Sequence, residues 1–162
     1  MVNRELPHVL ILPEDDANRQ LANGFWLKIA LERQRQLYVE RSVGGWNKVL
    51  DTFNDAHVAA MDRTPNRFMI LLVDFDGRDD RLGQIRARIP QRLAERVFIL
   101  GALTDPEALR HDLGSYEQIG SKLAQDCREN KNETWGHDLL RHNAGELARL
   151  RQQIVPILFN PV

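Results

Sequence analysis

With 162 residues, 22 basic and 23 acidic side chains and a net charge of −1, the chain has the size of one domain and no overall field to draw it to nucleic acid or anionic lipid. Its one cysteine, Cys127, excludes an intramolecular disulfide and four-cysteine zinc sites, and makes a reducing compartment, the cytoplasm, the expected location. The first apolar run, residues 9–12, is too short for a signal or membrane helix, so neither export nor a membrane partner is expected.

Val9, Leu10, Ile11 and Leu12 stand between Pro7 and Pro13 without a polar interruption, the pattern of a strand buried on both faces. From Asp16 the period changes. Leu21, Phe25 and Ile29 recur every fourth residue beside Ala22, Trp26 and Ala30, which predicts a core-facing helix. Residues 37–43 mix β-branched and aromatic side chains with charge and predict a less buried strand near a sheet edge, closed by Gly44 and Gly45. Trp46, Val49, Leu50, Phe53 and Ala60 predict one second helix, ended by the turn at residues 62–65. The strongest apolar run, residues 68–73, predicts the central strand and leads into Asp74, Phe75, Asp76 and Gly77. A short helix carrying Leu82, Ile85 and Ile89 is cut by Pro90, and residues 96–101 supply a fourth strand. Strand and helix alternate throughout, so the expected fold is α/β, a three-layer, mostly parallel four-stranded Rossmann-like sheet with right-handed crossovers.

Beyond Gly101 the pattern is helical. Leu109 and Leu113 mark one helix stopped by Gly114, and Ser115 with Gln118 forms the capping box of the next, whose apolar side is Ile119, Leu123 and Cys127. Leu140, Ala144, Leu147, Leu150 and Ile154 keep helical register until Pro156. These helices have too few large apolar residues to stand alone. The chain therefore divides into an α/β core over residues 1–103 and a helical appendix over residues 104–162 packed on the same domain.

In an open parallel sheet, ligands bind outside the carboxyl ends of the strands. Strand 1 runs out into Glu14, Asp15 and Asp16, and strand 3 into Asp74 and Asp76. Carboxylates gathered at one rim repel one another unless a proton or cation intervenes, and a few hard oxygen ligands suit Mg²⁺, with Mn²⁺ as its substitute. Asp16 and Asp79 alone read as helix caps. Arginine outnumbers lysine 18 to four, and Arg81, Arg86, Arg88, Arg92 and Arg96 crowd the segment after Asp76, where they either guide a phosphate backbone or form a solvated face. His137 and His142 are five apart, too far for a helical ligand pair, and read as solvated or capping residues; Cys127 reads as a buried core thiol.

An acid after the first strand, glycines after the second and Asp-x-Asp after a hydrophobic third resemble the Toprim domain of topoisomerases, primases and the overcoming-lysogenization-defect nucleases. The matching pieces are Leu12-Pro13-Glu14, Val43-Gly44-Gly45-Trp46-Asn47-Lys48 and Leu72-Val73-Asp74-Phe75-Asp76-Gly77, within residues 7–101. The resemblance implies Glu14 as general acid/base or metal ligand and Asp74 and Asp76 as Mg²⁺ ligands, with Asp15 beside them. Gly44, Gly45, Lys48 and Arg78 would then meet substrate, and the activity would be Mg²⁺-dependent nuclease or nucleotidyl-transfer chemistry on nucleic acid. Two positions depart from the family pattern: Asp15 stands where glycine usually follows the glutamate, and Asn18 where a further acid is common. The segment Glu14-Asp15-Asp16-Ala17-Asn18-Arg19 also resembles the opening of a response-regulator receiver domain, which implies phosphorylation of Asp74 and a protein partner. That family adds a fifth strand and a lysine, which residues beyond Gly101 do not predict. A third reading is a catalytically inactive interaction module, with a partner protein or a second copy held by the helical appendix.

Overall fold

A computed structural model describes residues 2–159. Four strands form one sheet: β1 (His8–Pro13), β2 (Leu37–Val39), β3 (Arg67–Leu72) and β4 (Val97–Leu100), in the order β2-β1-β3-β4. Every neighbouring pair is parallel, with Val9 opposite Leu37, His8 opposite Arg67, and Met69 opposite Val97. The predicted α/β architecture is therefore present.

Both faces are covered, and strand alternation divides the side chains between them. Val9, Ile11, Ile70, Phe98 and Leu100 pack in one cluster with residues of α1 (Asp16–Leu27), α6 (Tyr116–Glu129) and α7 (Ala144–Gln153). Leu10, Leu12, Met69, Leu71, Val97 and Ile99 pack in the other with α2 (Trp46–Thr52), α3 (Val58–Arg63) and α4 (Arg81–Ala87). Two short helices complete the set, α5 (Glu107–Leu113) and α8 (Val155–Leu158). The appendix thus forms one layer of the sandwich. Each fully buried Leu, Ile, Val or Phe contributes about 1.5–3 kcal/mol through removal from water.

Several boundaries differ from expectation for local reasons. β2 stops at Val39; Glu40 N still donates to Ile11 O, after which the chain turns to Gly44, so residues 41–43 add no strand. The second helix is interrupted by a π turn (Phe53–His57), whose extra residue brings His57 and Met61 inward in place of Ala60. α1 ends at Leu27, before Ile29 and Ala30. Pro156 does not end the helical segment; it lies in α8 after a turn at Ile154, where its missing N–H is harmless. The Ser115–Gln118 capping box is present as expected.

α1 and α6 cross at close range because each offers a glycine to the contact. A Cβ on Gly24 would lie 2.0 Å from Glu117 O, and one on Gly120 1.9 Å from Leu21 O. At the end of β4, Asn143 closes a second tie: its Oδ1 accepts from Gly101 N at 3.1 Å, and its Nδ2 donates to Gly101 O at 3.0 Å and Leu140 O at 2.8 Å.

Candidate functional site

The chain leaves β1 toward β2 on one side and β3 toward β4 on the other, so the crevice between strand order reversals opens at the carboxyl ends of β1 and β3. Glu14 sits there. Its N donates to Leu72 O at 2.9 Å, its carbonyl accepts from Gly44 N at 2.7 Å, and its Oε2 accepts from Asp74 N at 2.6 Å. The glycine loop, the first acid and the end of β3 are thereby joined, although 60 positions separate Glu14 from Asp74. Gly44 and Gly45 have φ of 92° and 151°, which lets the loop turn directly into α2.

Asp15 caps α1, its Oδ1 accepting from Asn18 N at 2.9 Å and Asn18 Nδ2 at 3.0 Å. The cap is therefore Asp15 and not Asp16, which instead binds Arg19 and Gln20 on the surface. Asn18 Nδ2 also reaches Asp74 Oδ1 at 3.2 Å, so one fully buried amide bridges the two acids. Its own Oδ1 is buried without a partner. Burial pushes the Asp74 carboxyl up to about 7; the Asn18 bond acts against this, and the charges of Asp15, Glu14 and Asp76 act with it. Burial also raises Glu14, against the bond from Asp74 N.

Asp76 behaves differently. It adopts φ 52°, a left-handed position that aspartate tolerates, and its exposed carboxylate accepts from Arg81 Nη1 at 2.9 Å. Arg81 is buried at 4% exposure, also donates to Asp74 O at 3.2 Å, and stacks over Trp46 with 4.1 Å from guanidinium carbon to ring centroid. Its Nε is buried without a partner. Asp15 and Asp74 thus meet at Asn18, Glu14 is tied to the backbone of Asp74, and Asp76 is drawn toward a cation the protein supplies itself. Among the described residues, no group of three or more His, Cys, Asp or Glu side chains is placed to hold a metal ion as it stands.

Of the residues expected to meet substrate, Gly44 and Gly45 flank Glu14, and Lys48 is exposed on α2 beside Gly44. Arg78 is exposed but forms a two-pronged pair with Asp80, Nε to Oδ1 at 3.1 Å and Nη2 to Oδ2 at 3.0 Å. No side chain caps α4, so Asp79 has no such role.

The arginines after Asp76 are partly exposed and already hold partners within the chain. Arg86 pairs with the buried Glu146, Arg88 with Asp51, and Arg92 with Asp62, while Arg96 donates to the carbonyls of Met61, Thr64 and Arg67. Each ties one element to another. His137 is half-buried and tied across the chain, with Nε2 2.8 Å from Asp112 Oδ2, 25 positions away, and Nδ1 accepting from Leu139 N. His142 is not solvated: its ring lies edge-on to Phe75 at 4.7 Å, both nitrogens are buried, and burial lowers its pKa. Cys127 is buried as expected, its thiol pushed up to about 11.

Asn18, Arg81 and Asn143 are the residues that sequence reasoning missed as parts of this rim. Their partners lie 56, five to seven and 42 positions away, and a short polar residue on a helix gives no local sign of such a reach. An apolar cavity of about 60 Å³ lies elsewhere, lined by Ile11, Leu21, Phe25, Leu100, Trp135 and Leu150, and offers no polar group to a ligand. Among the described residues, no helix is long and apolar enough to cross a membrane. Comparison with protein-family models, with curated proteins and with solved structures finds no match to this chain.

Proposed function

We propose that the rim of Glu14, Asp15, Asp74 and Asp76 is a Mg²⁺ site for phosphodiester chemistry on nucleic acid, of the Toprim-like kind. The observation that carries this reading is the convergence of acids 60 positions apart, Glu14 Oε2 accepting from Asp74 N at 2.6 Å and the buried Asn18 amide joining Asp15 to Asp74. A carboxylate in that position is stabilised by a proton or by a cation, and nothing in α/β packing requires it. The donor chemistry, carboxylate oxygens, suits a hard ion, and the side chains would have to close further to share one. Glu14, Asp15 and Asp74 would hold the ion, and Asp76 would join by exchanging Arg81 for it. When bound, Mg²⁺ polarises a phosphodiester and neutralises the charge that develops on it. The chain's own contribution is to orient: Gly44 and Gly45 allow close backbone approach, while Lys48 and a released Arg81 would steady phosphate oxygens.

Mg²⁺ is expected to raise the melting temperature by roughly 5–10 °C at a hundredfold excess over its dissociation constant. Asp74→Asn combined with Asp76→Asn should abolish the gain. A wild-type melt unchanged by the metal removes the proposal, and hydrolysis assays on single- and double-stranded substrates separate catalysis from binding.

One observation favours a second reading. Asp74 is the most buried of these acids and follows the strand next to β1, where a receiver domain carries its phosphorylated aspartate. The described chain is helical after β4, with no fifth strand. Acid-labile phosphate after incubation with a small phosphodonor would support this alternative over the first.

A further inference from the structure

The opposite end of the sheet holds a buried charge that the acidic rim does not use. His8 opens β1 and Arg67 opens β3, as register partners on neighbouring strands. By strand alternation both point to the face that carries Leu10, Leu12, Met69 and Leu71, under the π turn. His57, the last residue of that turn, is buried there with them, at 9% exposure against 6% for Arg67 and 0% for His8.

Arg67, 6% exposed as a residue, has no ion pair among the described residues; its side-chain partner is an imidazole, Nε donating to His8 Nε2 at 3.1 Å, while its Nη edge keeps contact with solvent. His8 Nδ1 lies 2.8 Å from Leu6 O, a contact that requires the proton on Nδ1 and leaves Nε2 free to accept. The ring therefore fixes the Nε edge of the guanidinium, and the Nη1–Nη2 edge has no protein acceptor among the described residues. The charged groups acting on Arg67 are Arg4, which adds to the positive field, and Glu40, which opposes it without closing an ion pair. Burial disfavours the charged form of both histidines, so each is an uncharged ring able to donate or accept a hydrogen bond.

We propose that Arg67, oriented by His8 and accompanied by His57, forms an oxyanion-binding site at the amino end of the sheet, for the phosphate or carboxylate group of a small ligand. Two parallel N–H donors on the Nη edge match two oxygens of such a group, and the ligand supplies the counter-charge that the protein withholds. The π turn has a role in this arrangement, since its additional residue turns His57 inward, where the charge of Arg67 acts on it.

The test is the side-chain Nε–H signal of Arg67, followed by ¹⁵N NMR during titration with inorganic phosphate and, separately, with acetate, against chloride at equal ionic strength. Arg67→Gln assigns the signal by its disappearance, and backbone-linked assignment serves if that variant does not fold. A saturable shift is expected, and the tighter of the two anions identifies the group as phosphoryl or carboxyl. His57→Gln should weaken that binding about tenfold. An Arg67 signal that moves no further with phosphate or acetate than with chloride overturns the site, in wild type and in Glu40→Gln alike; an unchanged affinity in His57→Gln removes His57 from it.

Discussion

Replacing Gly120 by alanine should destabilise the fold by about 3 kcal/mol or more, although alanine is the better helix former by about 1 kcal/mol. The added methyl would stand 1.9 Å from Leu21 O and 2.9 Å from Phe25 N, both backbone atoms of α1, so the two helices must part. Separation would open the cluster that covers one face of the sheet, where Ile119, Leu123 and Ala124 of α6 meet Leu21 and Ala22 of α1. Gly145 in α7 is the matched control. Nothing lies within 4 Å of its Cβ position, and Gly145→Ala should be neutral or stabilising by about 0.5–1 kcal/mol. Urea unfolding of the two variants measures the contrast, and equal midpoints would mean that the crossing is looser than described.

The second large effect concerns pH. Asp74 is raised to about 7 in the folded chain from an ordinary 3.8. Between these values the folded state binds the extra proton, so this group's contribution to stability is full below about pH 4, declines as pH rises, and is gone above about 7. Asp74→Asn keeps the size and an acceptor for Asn18 while removing the charge. In a chelator the variant should therefore gain on wild type from pH 5 to pH 8, by about 2 kcal/mol after allowance for the part of the carboxyl that water still reaches. Denaturant midpoints at the two pH values give the answer; a gap that does not widen toward alkaline pH contradicts it. A residue whose removal stabilises the protein is expected where local stability has been given up for binding.

The sheet was legible because residues 9–12, 68–73 and 97–100 are apolar without interruption, as strands covered on both faces must be. β2 was overextended because Val43 resembles a strand residue, and only the pairing partner shows where the ladder stops. The π turn was invisible for a related reason: Phe53 and Ala60 fit an ordinary helical period, and the shift shows only when His57 and Met61 are found buried. At the rim, Glu14 and Asp74 could be placed because a strand end fixes position along the sheet. Asp76 lies two residues farther on, beyond that constraint, and its orientation depends on Arg81 and Trp46. Asn18 could be recognised as a departure from a pattern; that it bridges Asp15 and Asp74 required the third dimension.

The ties made by Arg86, Arg88 and Arg92 bear on how this surface would meet a polyanion. Tight electrostatic association with a nucleic acid draws on condensed counterions set free when protein cations neutralise phosphates, at about 0.9 per phosphate in the logarithmic salt slope. Here those cations already face Glu146, Asp51 and Asp62, and Arg78 faces Asp80. Fluorescence anisotropy across a potassium chloride series should therefore give a slope no steeper than about −2. Monovalent salt would then leave the complex largely intact, and the divalent ion would decide whether it forms.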